Sequence, residues 1–206
     1  MWQFDKNVAS SFDSHARQHI PNYDTVIDKS LDVCELYGKS AKIIDVGCAI
    51  GETLIRLHNR GFTNLHGVDN SQSMLDKCPH SIASLTCSET LPEGLYDVII
   101  INWTLHFIKD KKKYLQNVFD KLNPNGVVII SDKTSLDPLA IGMYHDYKRA
   151  KGVSEEEIKQ KQESIKNVMF IVDIEYYFSI LKFTGFSKVH IIDSYWCFTT
   201  FVCIKR

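Results

Sequence analysis

Asp45-Val46-Gly47-Cys48-Ala49-Ile50-Gly51 is the stretch on which the reading of the fold rests. A short apolar run, Lys42-Ile43-Ile44-Asp45-Val46, leads into it and has the character of a buried strand. Residues 52–59 follow it with a helical pattern that stops near Gly61. Glycine in such a turn lets the backbone bend tightly and approach a ligand closely. The N-terminus of the following helix offers unpaired N–H groups to an anionic group. Eighteen residues past Gly51 stands Asp69, at the end of a second strand, Leu65-His66-Gly67-Val68. A carboxylate there can accept hydrogen bonds from both hydroxyls of an adenosine ribose. The turn has glycine only at 47 and 51, so it is not the dinucleotide fingerprint G-x-G-x-x-G. No Lys-Ser or Lys-Thr follows the second glycine, so it is not a phosphate loop either.

Outward from this turn, strand and helix patterns alternate. Residues 71–77 suggest a short helix, 84–87 a weak strand and 96–102 a strongly apolar, β-branched strand. A helix is expected over 109–122, a turn at Asn123-Pro124-Asn125-Gly126 and a strand over 127–131. Lys109-Asp110-Lys111-Lys112-Lys113 is expected to be a solvated helix start. Strands that are apolar throughout and separated by helices predict a parallel sheet covered on both faces. After Ser131 the pattern changes. Residues 137–167 predict two helices broken at Gly152, the second capped by Ser154 with Glu157 at the capping-box position. A helix over 173–183 and closing strands over 188–193 and 197–204 complete the chain. Toward the N-terminus, Asp24 looks like the cap of a helix reaching Gly38, while residues 1–23 show no clean period.

Composition narrows the function. The chain has 206 residues, 24 basic and 25 acidic, for a net charge of −1, and is 44% hydrophobic. That length suits one domain, 1–206, with its own core. Near-neutrality argues against a general nucleic-acid binder, whose footprint is a basic face. No apolar run approaches the ~18 residues of a membrane span. Met1-Trp2-Gln3-Phe4-Asp5 lacks the basic start and apolar core of a signal peptide. The six cysteines show neither zinc-knuckle spacing nor a C-x-x-C pair. A cytoplasmic enzyme with reduced, mostly buried cysteines, no metal, no membrane contact and no direct nucleic-acid contact is expected.

The spacing D-x-G-x-small-x-G resembles the cofactor turn of class I S-adenosylmethionine-dependent methyltransferases, with Ala49 in the place of the middle glycine. Cys87-Ser88-Glu89-Thr90-Leu91-Pro92 resembles the stretch which that family sets beside the adenine, with Cys87 in place of its acidic residue. Asn102-Trp103-Thr104-Leu105-His106-Phe107 closes the fourth strand, where the sheet order reverses in such folds. The resemblance implies an α/β, doubly wound, Rossmann-like and mostly parallel seven-stranded sheet with helices on both faces. It also implies an N-terminal helical cover over 1–40 and a helical insertion after strand 5, over 137–170.

Outside this shared core the match narrows. Phe4-Asp5 with Val8-Ala9, Ile20-Pro21-Asn22-Tyr23, Asp69-Asn70-Ser71 and Asn102-Trp103-Thr104-Leu105 resemble one bacterial family, carboxy-S-adenosylmethionine synthase. So does His145-Asp146-Tyr147-Lys148-Arg149-Ala150-Lys151-Gly152, with Ser154, Glu157-Ile158, Gln160-Lys161 and Asn167-Val168-Met169. The resemblance covers nearly the whole chain. It implies cofactor contacts at Tyr23, Gly47, Cys48, Ala49, Gly51, Asp69, Asn70, Cys87, Ser88 and Asn102. It implies a homodimer through 137–170, to which Trp2 and Phe4 could contribute. For the synthase itself it implies prephenate as substrate and a link to tRNA wobble-uridine modification. That family grips the cofactor's extra carboxylate with an arginine; here Gln160-Lys161 is followed by Gln162. A guanidinium gives two charge-assisted bonds, glutamine one neutral donor. Losing such a partner costs ~2–5 kcal/mol. Unmodified S-adenosyl-L-methionine and in-line methyl transfer to a small molecule are therefore the expectation. Two alternatives stay open: the synthase, with carboxy-S-adenosyl-L-methionine, and a non-catalytic S-adenosylmethionine-binding module. Methyl transfer needs alignment and, for a hydroxyl or carboxyl acceptor, a base. His106, His145 and Tyr144 are the catalytic candidates. Trp103, Tyr147, Arg149 and Gln162 are candidate substrate contacts, with Tyr23, Trp196 and Phe198 as further aromatic walls. Lys161 or Lys166 could make good the missing guanidinium.

Overall fold

The computed structural model describes residues 6–135 and 137–206, with side chains from Phe12 onward. Trp2 and Phe4 lie outside them. Seven strands form one sheet: β1 (Ile43–Val46), β2 (Leu65–Asp69), β3 (Ser84–Cys87), β4 (Tyr96–Asn102), β5 (Leu122–Lys133), β6 (Lys188–Tyr195) and β7 (Phe198–Ile204). Their order is β3-β2-β1-β4-β5-β7-β6. The first five run parallel, and β7 pairs antiparallel with both β5 and β6.

The side-chain alternation of β1 and β4 divides the core into two layers. Ile43, Val98 and Ile100 pack on one face against α2 (Tyr23–Glu35) and α3 (Glu52–Asn59), through Ile27, Leu31, Leu54 and Leu57. Ile44, Ile99 and Ile101 pack on the other face against α5 (Lys111–Asp120) and α8 (Ile174–Thr184), through Leu115, Val118, Tyr177 and Leu181. Strands covered on both faces have no solvent side to show, which is why β1 and β4 carry runs of consecutive apolar residues, Ile43-Ile44 and Val98-Ile99-Ile100-Ile101. The short α4 (Gln72–Leu75) follows β2, with Ser71 as its cap. The insertion after β5 consists of α6 (Pro138–Ala150) and α7 (Glu155–Ile165), and the Ser154–Glu157 capping box is formed in both directions. No helix among the described residues is long and apolar enough to cross a membrane.

The structure differs from the sequence-based expectations in four places. Residues 6–19 form a helix, α1 (Lys6–His19), where the sequence showed no period of its own and only the resemblance implied a helical cover. The second helix starts at Tyr23, with Asn22 at its cap in the left-handed region; Asp24 is inside its first turn. The expected turn at 123–126 is absorbed into β5, which shifts register against β4 between Tyr96 and Val98. Within the lysine run, Lys111 is buried: its ammonium donates to the carbonyls of Ile108, at 2.9 Å, and Phe170.

The chain passes from β1 outward through β2 and β3, then returns to β4 on the other side. The switch point therefore lies between β1 and β4, and a crevice opens at their C-terminal ends.

Candidate active site

The crevice is a cleft of about 970 Å³, large enough for an entire small ligand. Its floor is the turn after β1. Gly47 has φ +71°, and a β-carbon there would lie 2.2 Å from Thr104 Oγ1. Thr104 Oγ1 itself donates to the Val46 carbonyl at 3.1 Å, which ties the β1 and β4 ends together. Ala49 has φ +47°. Asp69, at the end of β2, accepts the Ala49 N–H at 2.9 Å on one oxygen and the Ser71 N–H at 2.8 Å on the other. The Asn70 N–H is a third donor to this carboxylate; a carboxylate has about four acceptor sites, so capacity remains for a ligand hydroxyl. Burial raises the Asp69 pKa, against the pull of those backbone donors. Burial and then the charge of Asp69 push Asp45 up to about 7.

At the end of β4, Asn102 donates to Ser30 Oγ at 3.4 Å, while its Oδ1 is buried without a partner among the described residues. An orphan acceptor beside a cleft is a docking point for a ligand N–H. Trp103 has φ +56°, rare for a bulky residue. Its ring stacks on Tyr23 at 4.8 Å between centroids.

The roof is α1, which contributes Phe12, His15, Ala16 and His19 to the cleft, with Ile20 just past its end. The rings of His15 and His19 lie 3.9 Å apart. Burial lowers both, and His15, Lys148 and Lys161 help bring His19 to about 3. Outside the cleft, Arg17 joins α1 to Asp24 at 3.0 Å and to Glu52 at 3.2 Å.

The wall beyond β4 is cationic. Lys133 ends β5, Lys148 sits on α6 and Lys161 on α7, and all three line the cleft. The Lys133 and Lys148 ammonium groups lie 4.9 and 4.1 Å from the centroid of the Tyr144 ring. Burial lowers the pKa of each. Lys133 adds to the effect on Lys148, to about 8, and Lys148 to that on Lys161, to about 7.

Among the residues expected from sequence, Tyr23, Gly47, Cys48, Ala49, Asp69, Asn70, Ser88 and Asn102 line the cleft. So do Trp103, His106, Tyr144, His145 and Gln162. Four do not. Gly51 caps α3 from behind, where a β-carbon would meet Cys78 Sγ at 2.3 Å. Cys87 is exposed, its thiol 3.8 Å from the Asn70 carbonyl. Tyr147 donates to the Arg17 carbonyl at 2.9 Å and so braces α1. Arg149 is exposed and paired with Asp146 and Glu155. Tyr144 donates to the His19 carbonyl at 2.7 Å, and burial pushes its pKa up, so it is a strut rather than a proton acceptor. Trp196 is 43% exposed and outside the cleft. The α1 histidines and the Lys133–Lys148 pair were not read from sequence. Lys148 lies within the 145–152 stretch but was not singled out, and only the fold brings these residues together.

The family model described as a methyltransferase domain matches residues 16–174. The chain belongs to that family. It is a class I S-adenosylmethionine-dependent enzyme, homologous to the bacterial carboxy-S-adenosylmethionine synthases. The synthase of Shewanella sediminis is 30% identical over 226 residues, spanning 99% of this chain and 93% of the relative. That of Cronobacter sakazakii is 28% identical, spanning 99% and 91%. A crystal structure of magnesium protoporphyrin IX methyltransferase from Synechocystis PCC 6803, with bound SAH, superposes with a TM-score of 0.67 at 13% identity, covering 96% of this chain and 94% of the other. At that identity the likeness shows the fold.

The site fits S-adenosylmethionine. The Gly47 turn lines the cleft with backbone, Asp69 keeps acceptor capacity for the ribose, and Asn102 Oδ1 awaits a donor such as the cofactor's amino group.

Proposed function

We propose that this methyltransferase-domain protein is a carboxy-S-adenosylmethionine synthase. It moves a carboxyl group from prephenate to the methyl carbon of S-adenosylmethionine, and its product feeds tRNA wobble-uridine modification. The observation that carries this reading is the wall of Lys133, Lys148 and Lys161 in the cofactor cleft. Transfer of a methyl to a neutral acceptor has no use for two buried lysines and a half-buried third, which are costly to desolvate as cations. A reaction whose substrate and product both carry carboxylates does. The near end-to-end match to the synthases supports the same reading. Gln162 lacks the fork of a guanidinium, but Lys161 precedes it on α7 and lines the same cleft. The grip on the new carboxylate then comes from a point charge.

Bound S-adenosylmethionine would supply an activated methyl on a sulfonium. Asp69 and Asn102 hold and orient it, the lysines place the carboxylates, and α1 with the Tyr23–Trp103 stack keeps water out. The homodimer through 137–170 belongs to this reading, and sedimentation of a monomer at working concentration would remove it.

Gln162 favours a second reading, methyl transfer to an anionic small molecule. Mass spectrometry separates the two. Protein incubated with S-adenosylmethionine and prephenate is expected to yield the cofactor heavier by one CO₂. Finding only intact or demethylated cofactor would overturn the synthase reading.

A further inference from the structure

Two histidines line the roof of the cleft. His15 and His19 are one helical turn apart on α1, so they share a face, and their ring centroids are 3.9 Å apart. The turn that carries them is pinned to α6. The Tyr144 hydroxyl donates to the His19 carbonyl at 2.7 Å and the Tyr147 hydroxyl to the Arg17 carbonyl at 2.9 Å. His19 Nδ1 is buried without a partner among the described residues. The charged groups that act on the two rings are Lys148 of α6 and Lys161 and Glu157 of α7. Glu157 is exposed and held by Ser154 in the capping box. Of the other helices packed on α1, α4 carries no charged residue and Asp24 of α2 is taken by Arg17. Imidazoles at this spacing can also hold a metal ion. No group of three or more His, Cys, Asp or Glu able to do so occurs among the described residues, and two ammonium groups would repel a cation. Nitrogen donors from three helices thus meet on one side of the cleft, with only the committed Glu157 to balance them. Lys133 acts on Lys148 and on His145 instead, which marks a second cationic point in the same wall.

We propose that His15 and His19, together with Lys148 and Lys161, form an anion subsite that takes one carboxylate of a dicarboxylic small molecule. This rests on the reading of the cleft as a site for an acidic co-substrate and holds for either reaction considered above. In the empty site, burial and the lysine charges keep the rings neutral. A carboxylate set against them favours the charged imidazole instead, so the pair takes up a proton as the anion binds. Two imidazolium rings this close would repel, so one proton serves both. His19 lies in the last turn of α1, where the helix dipole also favours a cation. Lys161 at about 7 and Lys148 at about 8 are mostly charged already near pH 6, so a proton taken up there belongs to the histidines. Affinity for the anion therefore rises as the pH falls through that range.

Protein saturated with S-adenosylhomocysteine, which has no methyl to donate, is the material for the test, at about pH 6. Imidazole ¹⁵N–¹H NMR of the wild type is expected to show His15 and His19 neutral, and one of them to become imidazolium on adding malonate or prephenate. Calorimetry in buffers of different ionisation enthalpy should find about one proton taken up per prephenate bound. The double variant His15→Gln, His19→Gln keeps hydrogen-bond donors but no titrating ring. It should abolish that uptake and weaken prephenate about tenfold, with S-adenosylhomocysteine affinity unchanged. The wild-type NMR is independent of how well the variant folds. Rings that stay neutral with both anions, or a double variant that binds prephenate as the wild type does with the same proton uptake, would overturn the subsite. Protonation of the pair by malonate with no binding of prephenate would leave the subsite standing and sink the synthase reading alone.

Discussion

Ala49 holds a β-carbon in left-handed backbone at the middle of the cofactor turn. That conformation costs an L-residue about 1–2 kcal/mol, of which glycine's extra unfolded freedom returns part. Ala49→Gly is therefore expected to raise unfolding free energy by about 0.5–1 kcal/mol, seen as a higher urea midpoint at unchanged slope. A lower midpoint would mean that the methyl packs usefully against the cleft. Gly47 is the converse, since its missing β-carbon is the space that Thr104 occupies. At Asp69 the geometry predicts a binding effect. Asp69→Asn leaves one oxygen where there were two and removes the charge, so cofactor affinity should fall roughly 10- to 100-fold by calorimetry. Unchanged affinity would place the ribose elsewhere.

Helix α7 brings Lys161 and Gln162 to the cleft, so on the synthase reading its sequence is expected to tune which form of the cofactor is retained. Gln162→Arg is expected to raise the share of carboxylated cofactor that copurifies, by about tenfold for one charge-assisted pair. No change on the mass spectrum would mean that position 162 does not reach the carboxylate. The strands and the α6–α7 insertion were legible because their signals are local: apolar runs in β1, β4 and β5, a cap at Ser154 and a break at Gly152. Helix α1 was not. A helix that covers a ligand cleft shows histidine, alanine and phenylalanine there, not an apolar stripe. The Gly47 turn and Asp69 were legible for the same reason as the strands. Asp132, whose buried side chain bonds those of His106 and Tyr177, was not singled out because these partners are 26 and 45 residues away. Arg149 carried the charge expected of a substrate contact, but its neighbours Asp146 and Glu155 claim it at the surface.

For the molecule as a whole, the cleft makes stability and affinity run in opposite directions with pH. Lys148 at about 8 and Lys161 at about 7 give up protons that the unfolded chain keeps to near 10.5. Between about pH 7.5 and 8 the unfolded state therefore binds more protons, and the ligand-free fold gains stability as pH rises; nearer pH 9 the buried thiols of Cys34, Cys48, Cys78, Cys197 and Cys203, which burial raises, turn the slope the other way. Below 6.5 the lowered histidines and the raised Asp45 and Asp69 pull opposite ways, so the informative window is the alkaline one. The melting temperature of ligand-free protein should rise across that window while prephenate binding weakens as the lysines discharge. A melting temperature that falls there would show that the lysines stay charged in the fold. The roof adds a consequence in time. Because α1 lines the cleft and is held by the Arg17 pairs, a bound molecule is expected to leave faster when that helix lifts. The Arg17 pairs are half-exposed and screened by salt within a Debye length of about 10 Å at 0.1 M. Stopped-flow traces should show residence times shortening as salt rises, so the helix that shelters the reaction also sets how long each turnover waits for its exit.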